Sequence, residues 1–294
     1  MPFIAKSAAP GEPHPAAANW TFDRAATGGL TLFTAPPGYL LSEGLFDALR
    51  RQGRQVLWVR LGPEDRDPGT FLLSVVAAAQ HQHPGFGLST LELMRRRPGP
   101  VAGWPPLFGR LAAELAEAMP RPTALVLEHA HYLGRVHPTL AVLGSTLLPT
   151  LDGDIACILV SHENLPPATL PAHGVRRSAD DLRLPPVAVD ELLQRGAPGM
   201  ERESARRAAA LCRGGVETLA AVCGASAVLG DAMVGRAIRR ASDVRDLLTA
   251  LARPWLQTLD PEARRALGLA LRLEYSHPAL TRRLIPRDGC GDAG

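Results

Sequence analysis

Lysine is almost missing from this sequence. Lys6 is the only one in 294 residues, although lysine and arginine together number 32, so chemistry that needs a lysine ammonium has no residue to use beyond the N-terminal segment. Long apolar runs are missing too. None approaches the roughly 18 to 20 residues of a membrane-crossing helix, and Met1 to Ala18 is rich in Ala, Pro and Gly without the apolar core of a signal peptide. The expectation is a cytoplasmic protein with no membrane partner. Cys157, Cys212, Cys223 and Cys290 form no CxxC pair and keep no metal-ligand spacing with histidine, so they read as buried or idle thiols. An excess of one charge is lacking as well: 29 acidic residues leave a net charge of +3, which does not call for nucleic acid or an anionic membrane.

What is present is 46% hydrophobic residues, ample for buried cores in one large or two smaller domains. Compact apolar runs at Leu30 to Ala35, Val56 to Leu61, Ala124 to Glu128 and Ile155 to Ser161 predict strands covered on both faces. A fifth short strand is expected at Leu182 to Leu184. Helical periodicity fills the gaps at Leu41 to Arg51, Thr70 to His81, Trp104 to Met119 and Val136 to Pro149. Such alternation implies βαβ crossovers and a parallel sheet. His83 to Gly103 reads as a loop around a short helix, with Arg95, Arg96 and Arg97 a solvated charge cluster or, alternatively, a contact for phosphate or an acidic partner.

After Pro186 the pattern is all helix: Val189 to Gln194, Glu201 to Arg213, Val216 to Leu229, Ala232 to Ala252 and Pro261 to Leu273. The expected organisation is a flexible arm over 1–24, an α/β domain over 25–186, a helical domain over 187–256, a partial winged-helix segment over 257–286 and a disordered tail over 287–294. Asp260 as N-cap and Pro261 at the first helical position open the winged-helix segment.

Thr34-Ala35-Pro36-Pro37-Gly38-Tyr39-Leu40-Leu41-Ser42-Glu43 lies between the first strand and its helix, the place of a phosphate-binding loop. Such a loop uses backbone N–H groups from a glycine turn, a lysine on the phosphates and a Ser or Thr hydroxyl on magnesium. Here Gly38 and Ser42 stand in register, Leu41 takes the place of the lysine, and Leu40 that of the second glycine. Glu43 adds a carboxylate that favours the helix dipole and repels phosphate.

Together with Leu32-Phe33, with Val56 to Leu61 followed by Asp67-Pro68 and Phe71-Leu72, with Leu125 to Leu133, and with Ile158 to His162 followed by Asp180 to Leu184, this loop resembles the NTPase module of the STAND class of signalling ATPases, as found in MalT- and LuxR-like bacterial transcriptional regulators. The resemblance spans roughly residues 25 to 225. It implies a Rossmann-like P-loop sheet domain with a helical domain after it. Within it, Glu128 stands where the family has its magnesium-coordinating aspartate, His129 its second acid and His162 its sensor arginine. Gly214-Gly215-Val216-Glu217 is similar to a Gly-Gly-x-Pro motif with Glu217 in place of the proline.

The resemblance and its departures point to a regulatory or scaffolding protein without catalysis, acting through protein contacts. Gly38, Tyr39, Ser42, Glu128 and His162 would form a relic nucleotide site, with Glu128 the sole, weak catalytic candidate. No cofactor is expected beyond weak ATP or ADP binding. Two alternatives stand beside this reading. One is a divergent ATPase using Glu128 and Ser42 for magnesium and Arg60 or Arg183 for charge. The other is a DNA-binding regulator acting through Arg264, Arg265, Arg282 and Arg283 on the C-terminal helices. Glu128, His129 and His131 raise a zinc reading, but the sequence shows no second cluster to complete it and no metal is expected. Ser42, Ser145 and Ser161 lack the context of a catalytic triad.

Overall fold

The computed structural model describes residues 29–36, 39, 41–96, 103–120, 122–134, 138–151, 154–166 and 174–272. The N-terminal arm, Gly38 and Leu40 of the loop, Arg97, Cys290, Arg282 and Arg283, the winged-helix continuation after Arg272 and the C-terminal tail lie outside these residues.

Five strands form one sheet: β1 Leu30–Thr34, β2 Gln55–Arg60, β3 Thr123–Glu128, β4 Ile155–Ser161 and β5 Val175–Ser178. Their order is β2-β3-β4-β1-β5, and every pair is parallel, as the alternating pattern predicts. Strand residues alternate between faces. Leu32, Leu57, Val59, Leu125, Leu127 and Leu159 enter one core, while Phe33, Ala124, Val126, Ile158 and Val160 enter the other. Burial on both sides is why these strands read as nearly continuous apolar runs.

The fifth strand is a correction. Leu182 to Leu184 is not a strand; β5 is Val175–Ser178, and Leu182 ends a short helix, Ala179–Leu182. As an edge strand pairing only with β1, Val-Arg-Arg-Ser is half-buried at most and carries no two-faced apolar run. The buried Leu182 belongs to the second core, which it reaches from the helix. Asp181 accepts from the N–H and hydroxyl of Ser178 and so starts that helix.

Helix α1, Leu41–Arg51, covers the second core with Leu45, Ala48 and Leu49, the three- and four-residue spacing of one helical face. Helix α2, Pro68–Gln80, begins where the Asp67 carboxylate accepts from Thr70 N–H at 2.8 Å. It buries Phe71, Leu72, Val75 and Val76. Helices α3, Leu88–Arg96, and α4, Pro105–Ala118, follow, and the Phe71 ring stacks on Phe108 of α4 at 5.6 Å. Glu114 of α4 is buried because it caps α3, accepting from the N–H groups of Ser89 at 2.9 Å and Thr90 at 3.1 Å and from the Thr90 hydroxyl.

The crossover from β3 to β4 is not the continuous helix that its periodicity predicts. It runs as Pro138–Val142, a π-helical turn Leu143–Leu147 and a last turn Leu148–Thr150. Pro149 has no N–H, and its ring crowds the carbonyl four residues earlier, a recognised cause of such a break.

The chain divides into two compact units. One runs to Val189 and takes in Arg213–Glu217; the other comprises Asp190–Cys212 and the chain from Thr218 onward. In the second unit Arg207 donates to the carbonyls of Ile238 at 2.9 Å and Ala241 at 2.8 Å, capping the end of helix Asp231–Arg240. The helix expected over Ala232 to Ala252 is in fact two, Asp231–Arg240 and Val244–Thr258. Asp243 begins the second by accepting from Asp246 N–H at 2.8 Å, an N-cap that the apolar periodicity conceals. The helix at Pro261–Arg272 starts as expected, with Asp260 accepting from Ala263 N–H. Among the described residues no helix is long and apolar enough to cross a membrane.

Candidate functional site

The carboxyl ends of β1, β3 and β4 lie side by side, with Thr34 opposite Ser161 and Arg60 of β2 opposite Glu128. Ligands of open parallel sheets bind in the crevice outside such ends. Glu128 ends β3 on the face that carries Ala124 and Val126, and it is 4% exposed. Both of its carboxylate oxygens accept hydrogen bonds. Ser42, in the first turn of α1, donates its hydroxyl to Oε1. Oε2 accepts from the Trp58 indole N–H at 2.9 Å and from Arg60 Nε at 2.8 Å. Trp58 and Arg60 alternate with Val59 along β2, so both reach the Glu128 face.

Burial alone pushes the Glu128 carboxyl upward. The hydrogen bonds from Ser42, Arg60 and Trp58, with the Arg60 charge, outweigh it and hold the pKa below the ordinary carboxylate value. The group is a settled anion, not a poised base. A cleft of about 360 Å³ opens beside it, lined by Ser42, Phe46, Asp47, Trp58, Arg60 and Glu128. Phe46 meets Trp58 edge to face at 6.3 Å, and the Arg50 guanidinium lies 5.7 Å from the centre of the Phe46 ring.

Past Glu128 the chain leaves the sheet abruptly. His129 and His131 do not continue the strand: His129 is left-handed at φ 62°, ψ 37°, and Ala130–Leu133 is a 3-10 turn. The turn nevertheless gathers three imidazoles. Ring centres of His129 and His131 are 5.6 Å apart, those of His129 and His162 5.5 Å, and those of His131 and His162 5.2 Å. His162, just past β4, sets Nδ1 3.1 Å from the Ala35 carbonyl, and its backbone N–H points at His131 Nδ1 at 3.4 Å. His129 Nδ1 is buried without a hydrogen-bond partner. Burial lowers the pKa of His129, with Glu128 acting the other way; burial lowers that of His131 too, reinforced by the two neighbouring histidines.

Of the residues named from sequence, Ser42 and Glu128 come together. His162 joins His129 and His131, and Tyr39 packs partly buried against the second core. Gly38 lies outside the described residues. Arg60 reaches Glu128, while Arg183 pairs with Asp180 at 2.8 Å instead. Ser161 donates its hydroxyl to the Glu163 carbonyl. Trp58 was missing from the candidates. Its signal was its two-residue offset from Arg60, which has meaning only once β2 is known to lie beside β3.

No protein-family model matches this chain, and no curated protein matches it. Among solved structures, it is similar to the Walker-type ATPase of Pyrococcus abyssi, with 16% identity and a TM-score of 0.48 over 87% of this chain and 78% of that one. It is similar also to the Aeropyrum pernix ORC1 protein in complex with DNA, with 16% identity and a TM-score of 0.43 over 83% and 66%. A third is the Thermotoga maritima RuvB Holliday junction branch migration motor, with 12% identity and a TM-score of 0.34 over 86% and 73%. The chain has an α/β fold, a parallel five-stranded sheet flanked by helices, that brings Ser42 and Glu128 together, and a helical region follows it.

Proposed function

We propose that this protein is a pseudo-NTPase related to the STAND regulators, one that works as a regulatory or scaffolding component through protein contacts and not through nucleotide hydrolysis. The observation that carries the reading is the set of three donors held by Glu128. The carboxylate that would face a divalent cation is bonded to Ser42, Trp58 and Arg60, and the Arg60 guanidinium supplies the positive charge. The loop offers no lysine to a phosphate, since Leu41 stands in its place. Losing one partner of a desolvated charge pair costs about 2 to 5 kcal/mol, so nucleotide affinity should be weak. The cleft beside Glu128, with Phe46, Trp58 and Arg60, has the aromatic and arginine character of protein contact sites.

One observation favours a second reading, a divergent ATP-binding switch. Ser42 and Glu128 still touch, so a hydroxyl and a carboxylate remain paired at the head of the loop. Titration with ATP and ADP, with and without magnesium, by calorimetry and by thermal melting separates the two. A ligand of the native state raises the melting temperature. The pseudo-NTPase reading expects no shift at millimolar nucleotide; tight, magnesium-dependent binding would replace it with the switch.

A further inference from the structure

β2 stands at one end of the sheet, with β3 its one neighbour among the described strands. Gln55 N–H donates to the Pro122 carbonyl and Leu61 N–H to that of Glu128, each at 2.9 Å, so the odd-numbered residues of β2 turn their backbone groups toward β3. Adjacent residues of a strand turn theirs opposite ways, which leaves Val56, Trp58 and Arg60 facing outward. Gln82 donates to the Val56 carbonyl at 2.9 Å. Among the described residues no hydrogen bond uses the Val56 N–H or either backbone group of Trp58 and Arg60 on that outer side.

The side chains of the same three residues lie on the face that α1 covers. Two cavities run between that helix and the strand and share Phe46: the cleft of about 360 Å³ at Trp58 and Arg60, and a second of about 490 Å³ lined by Arg50, Arg54, Val56 and Gln82. The groove changes character along β2. Beside Val56 it carries Arg50 and Arg54, beside Trp58 the Phe46 ring, which is 39% exposed, and at its far end Arg60. Arg60 gives Nε to Glu128 and Arg50 lies over Phe46. The terminal nitrogens of both make no hydrogen bond among the described residues, and Asp47 is the one lining carboxylate besides Glu128.

We infer that the outer edge of β2 and this groove bind an extended acidic peptide of a partner protein, with the pattern acidic-x-apolar-x-acidic, as a further strand of the sheet. Residues two apart on a strand share a face and lie about 6.6 Å apart. An acidic residue opposite Val56 meets Arg50, an apolar one opposite Trp58 meets Phe46, and a second acidic residue opposite Arg60 meets its terminal nitrogens, while Arg60 keeps its bond to Glu128. Backbone bonds to a free edge supply affinity in such complexes, and pockets for alternate side chains supply selectivity. A second copy of β2 is the poorer occupant, because antiparallel pairing about Trp58 sets Arg60 of one copy against the Arg50 and Arg54 end of the other. The inference rests on the reading of this protein as one that acts through protein contacts.

The test titrates the full chain, without nucleotide, with a fluorescein-labelled nonapeptide carrying Glu-Thr-Leu-Thr-Glu at its centre, read by anisotropy. Saturable binding is expected, weakened roughly fivefold or more by Arg50→Glu on the exposed face of α1 and by Lys in place of both peptide Glu residues. N-methylation of one alternate set of peptide amides should abolish binding and that of the other set should not, since only one set faces β2. Hydrogen exchange should slow at the Trp58 and Arg60 amides. Absence of saturation, equal affinity for the Lys peptide, or no slowing at those amides overturns the site, as does slowing that rises with protein concentration before peptide is added, the mark of β2 pairing with its own copy. Nucleotide titration distinguishes the two failures: a failed peptide with no nucleotide shift removes this site alone, whereas tight, magnesium-dependent nucleotide binding removes the pseudo-NTPase reading.

Discussion

Arg60 donates its Nε–H to Glu128 across the β2–β3 pair at 2.8 Å, joining a side chain that is 60% exposed to one that is 5% exposed. The two partners are therefore not equivalent. Arg60→Ala lets water reach the carboxylate, and the expected loss of stability is about 1 kcal/mol. Glu128→Gln puts an amide donor against three donors in a buried place, with an expected loss of about 2 to 3 kcal/mol. Urea unfolding measures both, and a larger loss for Arg60→Ala would count against this account of the site.

The depressed pKa of Glu128 makes a pH prediction with a definite sign. A carboxyl whose folded pKa lies below its unfolded value, about 4.3 for glutamate, contributes stability that is complete above that value. The contribution is lost as pH falls through the folded pKa. Melting temperatures taken from pH 7 down to the acid range should fall less steeply for Glu128→Gln than for the unaltered protein. Parallel curves would show that Glu128 is not a source of the acid sensitivity.

Gly214 has φ +73°, and a Cβ there would meet the Leu184 backbone at 3.0 Å from its oxygen and 3.1 Å from its nitrogen. The same two residues share a hydrogen bond from Leu184 N–H to Gly214 O at 2.9 Å. Gly53 has a similar φ of +69° with nothing within 4 Å. Gly53→Ala should therefore cost about 1 kcal/mol of backbone strain, and Gly214→Ala about 2 to 3 kcal/mol, since backbone cannot move aside as a side chain can. Equal costs, read from denaturant midpoints, would mean that the close approach is immaterial.

Cys157 lies in the middle of β4, is 0% exposed, and burial pushes its pKa to about 12. A thiol reacts as thiolate, so at mildly alkaline pH Cys157 should resist alkylation in the native protein. It should become labelled in step with urea unfolding, followed by peptide mass. Rapid labelling without denaturant would show that β4 opens locally.

Four of the five strands were legible in the sequence because a strand buried on both faces carries its own signal, as Ile155 to Ser161 does. The edge strand Val175–Ser178 was not, since half its side chains meet solvent and its pairing with β1 supplies what its composition lacks. The helix break at Ala241 to Asp243 was lost for a related reason: the cap there is a hydrogen bond of Asp243, not an apolar pattern. In the site, Ser42 and Glu128 were found by motif. Trp58 was not found, because a single indole has no periodicity.

By itself the sequence determined that the sheet would be parallel, that a helix would begin at Leu41 after the first strand, and that the segment between them would have no lysine. All three are properties of short segments, readable from periodicity and residue type. Only the tertiary structure decided that Arg60 would neutralise Glu128, that Trp58 would share that carboxylate, and that His162 would stand with His129 and His131. Those meetings depend on β3 lying between β2 and β4, and neighbours in a parallel sheet are set by crossovers dozens of residues long, which leave no local mark on the residues they bring together.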